Sequence, residues 1–303
     1  MKYDAVLIAG PTASGKSAAA LELAEAIGGI IINADSMQVY GEAPILTAQP
    51  DAAARARVPH LLYGHVSVRE AYSTGRYAID AARALEEARV LGKMPIFVGG
   101  TGLYFTALTE GLSDIPPTPP VVRAQARALL DEIGVEELHR RLAAEDPQTA
   151  ARLKPGDPQR NVRAWEVLRA TGRPLAEWQQ ESGAPVLQDL KLAKFVIDRP
   201  RPELRQRIAT RFEWMVDQGG LEEAQSLAGL DPALPAAKLL GLRPLIALAQ
   251  GEAVREVALF EAITATRQFA KRQMTWFRHR MTDYVWFDPI KSNIITLLKD
   301  FSV

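Results

Sequence analysis

The sequence predicts an α/β protein: a parallel sheet flanked by helices and interrupted by an all-helical insertion. Three observations carry this expectation. The chain opens on an apolar run, Ala5-Val6-Leu7-Ile8-Ala9, that passes through a glycine-bracketed loop into a helix-forming stretch. Apolar runs of strand length recur at Gly29–Asn33, Pro95–Val98 and Leu192–Asp198. Between the last two stands Pro116-Pro117-Thr118-Pro119-Pro120, a stiff break followed by helical patterns alone to about Ser182. The expected divisions are a first core part over 1–114, the insertion over 115–186 and a second core part over 187–303.

The first loop, Gly10-Pro11-Thr12-Ala13-Ser14-Gly15-Lys16-Ser17, fits G-x-x-x-x-G-K-[ST] and lies between a strand and a helix, as a P-loop requires. Glycines let backbone N–H groups curl round phosphate oxygens. The helix N-terminus adds partial positive charge and Lys16 a full one. Ser17 is placed to hold Mg²⁺. These residues predict binding of a di- or triphosphate on a P-loop NTPase-like core.

Bulk properties set bounds. A chain of 303 residues is long enough for a large core, and its 36 basic and 36 acidic residues balance. No whole-molecule field therefore draws in a polyanion, which must be met by a local patch. With no cysteine, structural disulfides and thiolate metal sites are excluded. The N-terminus runs straight into the first strand, and no apolar run approaches the roughly 20 residues of a membrane span. The expectation is a cytoplasmic protein away from membranes.

In chain order, the second strand ends in Asp35-Ser36-Met37-Gln38-Val39-Tyr40. Carboxyl ends of strands face the ligand crevice in such sheets, so Asp35 is expected near the P-loop. Three roles are open to it: holding Mg²⁺ through water, accepting a proton from a substrate, or capping the next segment. A short helix is expected over Asp51–Arg57 among proline-marked loops. His60 and His65 complete no metal spacing and read as loop or surface residues. A helix over Ser73–Leu91 precedes the third strand. Gly99-Gly100-Thr101-Gly102 then turns into another helix, a second backbone-rich concavity at the same edge with the Thr101 hydroxyl as a donor.

The insertion reads as helices over Val122–Ile133, Val135–Ala144, a short one after Pro147, Pro158–Thr171 and Pro174–Glu181. Arg160 and Arg163 share a face, either a binding surface or a solvated one. Asp198, ending the fourth strand, reads as a magnesium ligand or as an ion-pair partner of Arg199 and Arg201. Arg207 and Arg211, one turn apart on a helix over Pro202–Gln218, suit a phosphate clamp or a charged face. Helices over Leu239–Ala249 and Val254 to about Met281 close the pattern. At 100° per residue, Arg267, Lys271 and Arg278 fall within about 40° of one another, with Phe269, Trp276 and Phe277 on or near the other side. No acid occurs from Arg267 to Arg280, which suits contact with a nucleic-acid backbone.

Together, Gly10–Ser17, Asp35–Tyr40, Pro95–Tyr104, Gly111–Pro116, Asp157–Arg163 and Thr266–Arg278 resemble the tRNA dimethylallyltransferase (IPP transferase) family in content and order. The resemblance implies a P-loop that holds the diphosphate of dimethylallyl diphosphate with Mg²⁺. The N6 amine of an adenosine beside the anticodon would attack the allylic carbon. It implies charge neutralisation by Lys16, the loop amides, Mg²⁺ on Ser17 and Arg211, with Asp35 as general base and Thr101 at the site. It further implies RNA contacts from Asp35, Ser36, Met37, Gln38, Thr101, Arg123, Gln159, Arg160, Asn161, Val162 and Arg163, beside the basic face of Arg267, Lys271 and Arg278. The implied partners are a tRNA anticodon stem-loop and dimethylallyl diphosphate, with the protein a monomer. The chain departs from the family at Gly41 and Gln49, where basic residues are usual, and at Leu46, Leu61 and Gly64 nearby. Rival readings are an adenylate isopentenyltransferase acting on free nucleotides, a small-molecule kinase and a non-catalytic nucleic-acid binder.

Overall fold

The computed structural model describes residues 2–300. In chain order the first core part contains β1 (Ala5–Ala9), α1 (Lys16–Ile27), β2 (Gly29–Asn33), α2 (Ala52–Arg57), β3 (His60–Leu61), α3 (Thr74–Val90), β4 (Met94–Gly99) and α4 (Gly102–Thr109). The helical stretch holds α5 (Pro120–Glu145), α6 (Pro147–Ala150), α7 (Pro158–Thr171) and α8 (Leu175–Trp178). The core resumes with β5 (Leu192–Ile197), α9 (Arg201–Met215), α10 (Leu221–Ser226), α11 (Leu242–Ala249), α12 (Arg255–Arg280), β6 (Val285–Phe287) and α13 (Ile294–Asp300).

The strands form one parallel sheet in the order β3-β2-β4-β1-β5-β6. β1 lies inside it, with Leu7 opposite Phe97 on one side and Lys194 on the other. A strand buried on both faces has no reason to alternate apolar with polar, which explains the continuous run Ala5–Ala9. All five residues are fully buried. Alternate side chains feed two cores: Leu7, Ile32, Phe97 and Val196 on one face, Val6, Ile8, Ile31 and Val98 on the other. The P-loop, Asp35, the Gly99–Gly102 turn and Asp198 follow the carboxyl ends of neighbouring strands, where ligands bind in open α/β sheets.

Residues 1–109 and 186–303 form one compact unit and residues 110–185 another. The second unit has its own core of Leu138, Leu142, Ala164, Trp165 and Leu175. The two helices expected on either side of Gly134 run on as α5, broken where Gly134 takes φ 75° and ψ 167°. The helix expected over Pro174–Glu181 is only the four residues of α8. The helix expected over Pro202–Gln218 leaves α geometry at Met215 and passes through a π turn, Val216–Gly220, before α10. His60 belongs to β3, not to a loop. The edge strands β3 and β6, and the helices α10 and α13, were not expected from the sequence; two or three residues carry no readable periodicity. Among the described residues, no helix is long and apolar enough to cross a membrane.

Candidate active site

The P-loop curls at Ala13 (φ 64°) and Gly15 (φ 95°), and three arginine side chains and a glutamine hold it. Arg207 Nε donates to the Ala13 carbonyl at 2.9 Å and Arg199 Nε to the Ser14 carbonyl at 3.0 Å. Arg211 donates to the Thr12 hydroxyl. Gln273 of α12 accepts from the Thr12 N–H at 2.9 Å and donates to the Gly100 carbonyl at 2.8 Å. The Gly10, Thr12 and Ser14 N–H groups are already bonded, to the Gly99 carbonyl, Gln273 and the Pro11 carbonyl, which leaves the N–H groups at the head of α1 as donors for an anion. The Ser14 hydroxyl is fully buried and unpartnered among the described residues, an orphan that a phosphate oxygen would satisfy.

The cavity at the P-loop measures about 580 Å³, and its walls include Ser14, Gly15, Lys16 and Ser17, with Arg207, Arg211 and Trp214 of α9. Spaced by three and four residues, the α9 side chains share one helix face. Arg207 and Arg211 thus both face the cavity, the placement a phosphate clamp would need. Burial lowers the Lys16 pKa from its ordinary 10.5, with Asp35 pulling it back up and Arg211 pushing it further down. Burial likewise lowers Arg211 to about 10, against the pull of Asp35. Asp35 is the opposing charge that acts on both cations.

A second, much smaller slot shares Arg211 with this cavity; Thr12, Asp35, Thr47 and Thr266 supply its polar walls, and Met37, Leu46, Phe212, Met215, Leu239, Leu240 and Phe269 its apolar ones. Asp35 is fixed by its neighbours: its N–H donates to Asn33 Oδ1 at 2.9 Å, and its Oδ1 accepts from the Met37 N–H at 3.1 Å. One carboxylate oxygen therefore caps the turn while Oδ2 points towards Gly100, where a Cβ would lie 3.2 Å away. The Thr101 hydroxyl accepts from the Ser36 N–H at 2.8 Å and donates to the Ser36 hydroxyl at 3.1 Å. It thus braces the Asp35 turn; the substrate donor expected of it is already engaged. Gly100 and Gly102 are needed for close approach, since a Cβ would come within 2.2 Å of Gln273 or 2.4 Å of the Trp276 ring.

Several expected RNA contacts lie inside. Gln38 is buried and its amide donates to the Thr47 and Ala48 carbonyls at 3.0 and 2.7 Å. Asn161 is buried, with its amide donating to the Lys154 and Asp157 carbonyls and its oxygen facing His139. Val162 packs on the helical unit's core. Gln38 nevertheless lines the P-loop cavity, whereas the Asn161 side chain is engaged within the helical unit. Gln159, Arg160 and Arg123 are exposed, and Arg163 is half-buried, bonding Thr118 at 2.8 Å. On α12, Arg267, Lys271 and Arg278 are exposed and Phe277 is buried, as the periodicity predicts, but Phe269 and Trp276 are only half-buried and the buried stripe runs through Ala270 and Gln273. Arg199 pairs with Glu203, not with Asp198 as the sequence suggested, because α9 carries Glu203 one turn on. Gln273 was missed as a site residue; its signal was a glutamine on the apolar face of a helix.

The IPP transferase family matches residues 38–280. The chain belongs to the IPP transferase family. It is 51% identical over 287 residues to a tRNA dimethylallyltransferase of Bradyrhizobium sp. (strain ORS 278), covering 94% of this chain and 93% of that protein. Among solved structures it is similar to the tRNA isopentenylpyrophosphate transferase of Bacillus halodurans (TM-score 0.65, 32% identity, 95% of this chain and 90% of that one). It is also similar to a eukaryotic dimethylallyltransferase acting on tRNA (TM-score 0.77, 27% identity, 94% of this chain and 73% of that one). Both likenesses span the P-loop core and the helical unit of this family member.

Among the described residues, no group of three or more carboxylate or histidine side chains is gathered to hold a metal. A divalent ion here would rest on Ser17, which lines the cavity, and on phosphate oxygens and water. That fits Mg²⁺, which is usually held through few protein ligands in phosphate sites.

Proposed function

We propose that this protein transfers the dimethylallyl group of dimethylallyl diphosphate to N6 of the adenosine 3′-adjacent to the anticodon of tRNA. The observation that carries the reading is a P-loop cavity and a small slot that meet at Arg211, the slot holding Asp35 beside the apolar side chains of Met37, Leu46, Phe212 and Phe269. A kinase needs a polar acceptor site there. An allylic diphosphate needs an apolar neighbour to its phosphates.

The residues then divide the work. Lys16, Arg211 and the P-loop amides take the diphosphate, whose charge grows as the C1–O bond breaks and the electron pair leaves with oxygen. Met37, Leu46, Phe212 and Phe269 line the place for the short alkyl chain and keep water from the allylic carbon. The N6 nitrogen forms the new C–N bond and passes a proton to Asp35. To reach the carboxylate the base leaves its stack, as base-modifying enzymes require. Mg²⁺ held by Ser17 would add neutralising charge to the leaving diphosphate. The basic face of α12 and, in the helical unit, exposed Arg160 with half-buried Arg163 would contact the RNA backbone, without any need for a second copy of the chain.

The test incubates the protein with labelled dimethylallyl diphosphate and either anticodon stem-loop RNA or AMP. Label in the RNA is expected. Label in AMP alone would favour the free-nucleotide reading, and phosphate transfer from ATP without prenyl transfer would favour a kinase.

A further inference from the structure

The segment Pro44–Ala48 walls both the phosphate cavity and the apolar slot, yet it belongs to no helix or strand. Leu46 and Thr47 line the slot and Ala48 the cavity. Its backbone is pinned from a distance. The Ile45 and Leu46 N–H groups donate to the two oxygens of Glu223, at 2.8 and 2.9 Å. Glu223 stands on α10, 178 residues from Ile45, and is half-buried. Burial raises its pKa and the two N–H groups lower it, so its carboxylate is held at a desolvation cost. Leu46 has little room to retreat. A Cβ on Gly220 would lie 3.3 Å from Leu46 Cδ2, and one on Gly219 3.2 Å from Ile45 Cδ1. Both glycines sit in the π turn that joins α9, which bears Arg207 and Arg211, to α10, which bears Glu223. One continuous piece of chain therefore holds the phosphate arginines and the wall of the slot.

We propose that Glu223 is a positioning residue that sets prenyl chain length, by fixing the Ile45–Leu46 amides so that the slot takes dimethylallyl and refuses geranyl. This rests on the prenyl-transfer reading above. Glu223 touches neither the diphosphate cradle nor Asp35; it acts through Leu46.

The experiment measures transfer to anticodon stem-loop RNA from dimethylallyl and from geranyl diphosphate, by the wild type, Glu223→Gln and Leu46→Ala. Glutamine keeps the size but turns an NH₂ towards one of the two N–H donors. The KM for dimethylallyl diphosphate should rise about tenfold in Glu223→Gln, the scale of one hydrogen bond lost to an ionised acceptor. Turnover at saturation should change little. Selectivity for dimethylallyl over geranyl should fall by a similar factor. Leu46→Ala, which opens the slot and leaves the clamp intact, should also admit geranyl. Thermal protection by inorganic diphosphate should be unchanged in both, which reports an intact cradle and fold. A folded Glu223→Gln with wild-type KM and selectivity would overturn the proposal, as would a Leu46→Ala no better with geranyl than the wild type. Absence of prenyl transfer by the wild type would instead sink the activity reading, and the chain-length role with it.

Discussion

Burial opposes the charge on Lys16, and that tension sets how the site responds to pH. The Lys16 pKa in the empty protein lies below the ordinary 10.5, and that of Arg211 is lowered to about 10. Bound diphosphate favours both protonated forms and raises both values. Binding therefore takes up protons wherever the empty protein has lost them. Affinity for inorganic diphosphate, corrected for the ligand's own loss of protons, should fall as pH rises through the lowered Lys16 value and on towards 10. Calorimetry across that range checks the sign; affinity that improves with alkalinity would contradict it. Lys16→Ala should abolish thermal protection by dimethylallyl diphosphate with Mg²⁺. Asp35 separates a capping role from a chemical one. Its Oδ1 caps Met37, a task Asn performs about equally well. Asp35→Asn should thus leave diphosphate and RNA binding nearly intact and lower the single-turnover rate by about 10²–10⁴. Near-normal turnover would end the general-base assignment.

At the scale of elements, α12 brings two loops together. Gln273 spans the P-loop and the β4–α4 turn with one side chain, and Trp276 packs against Gly102. Removing the amide leaves a buried N–H and a buried carbonyl without a partner, at about 1–3 kcal/mol for each. Gln273→Ala should lower the denaturation midpoint and weaken diphosphate binding together, whereas Lys16→Ala should weaken binding alone. A stable Gln273→Ala with full diphosphate affinity would show the bridge to be dispensable. Much of this architecture is legible in the sequence. β1 and β2 are found where the apolar runs place them, α2 lies within the expected Asp51–Arg57 with Asp51 as its cap, and the basic face of α12 follows its periodicity. What resists reading is contact between distant residues. Gln273 and Thr12 are 261 apart, and no local pattern marks a glutamine as a bridge. The departures at Gly41 and Gly64 become intelligible only as a pair: a Cβ on Gly41 would lie 2.9 Å from the Gly64 carbonyl oxygen. Gln49, in place of a basic residue, donates to the Tyr40 carbonyl at 2.7 Å and accepts from Arg55 at 3.2 Å. It shapes that loop through hydrogen bonds, and Arg55 brings the charge.

The whole molecule is electrically neutral, so its attraction for RNA must come from patches, and each patch can be weighed by its salt dependence. Arg267, Lys271 and Arg278 stand on one exposed face of α12 within an acid-free run. Arg160 and Arg163 stand on α7 in the helical unit. The two groups differ in freedom. Arg160 is exposed and lies 3.5 Å from Asp157, while Arg163 is engaged with Thr118 and lies 3.7 Å from Glu166. A cation already paired releases fewer counterions when it meets a phosphate, so the α7 pair should count for less than two full contacts. Replacing the three α12 residues with alanine should reduce the slope of log affinity against log salt by about 2, at roughly 0.7 for each phosphate contact on single-stranded RNA. Replacing Arg160 and Arg163 should reduce it by about 1 or less on the same scale. Both variants should keep diphosphate protection, because the P-loop and its arginines are untouched. Filter binding of anticodon stem-loop RNA over a series of salt concentrations distinguishes the outcomes. An unchanged slope in the triple variant would return the α12 cations to an ordinary solvated face. A larger drop from the α7 pair than from the triple would make the helical unit the principal backbone contact.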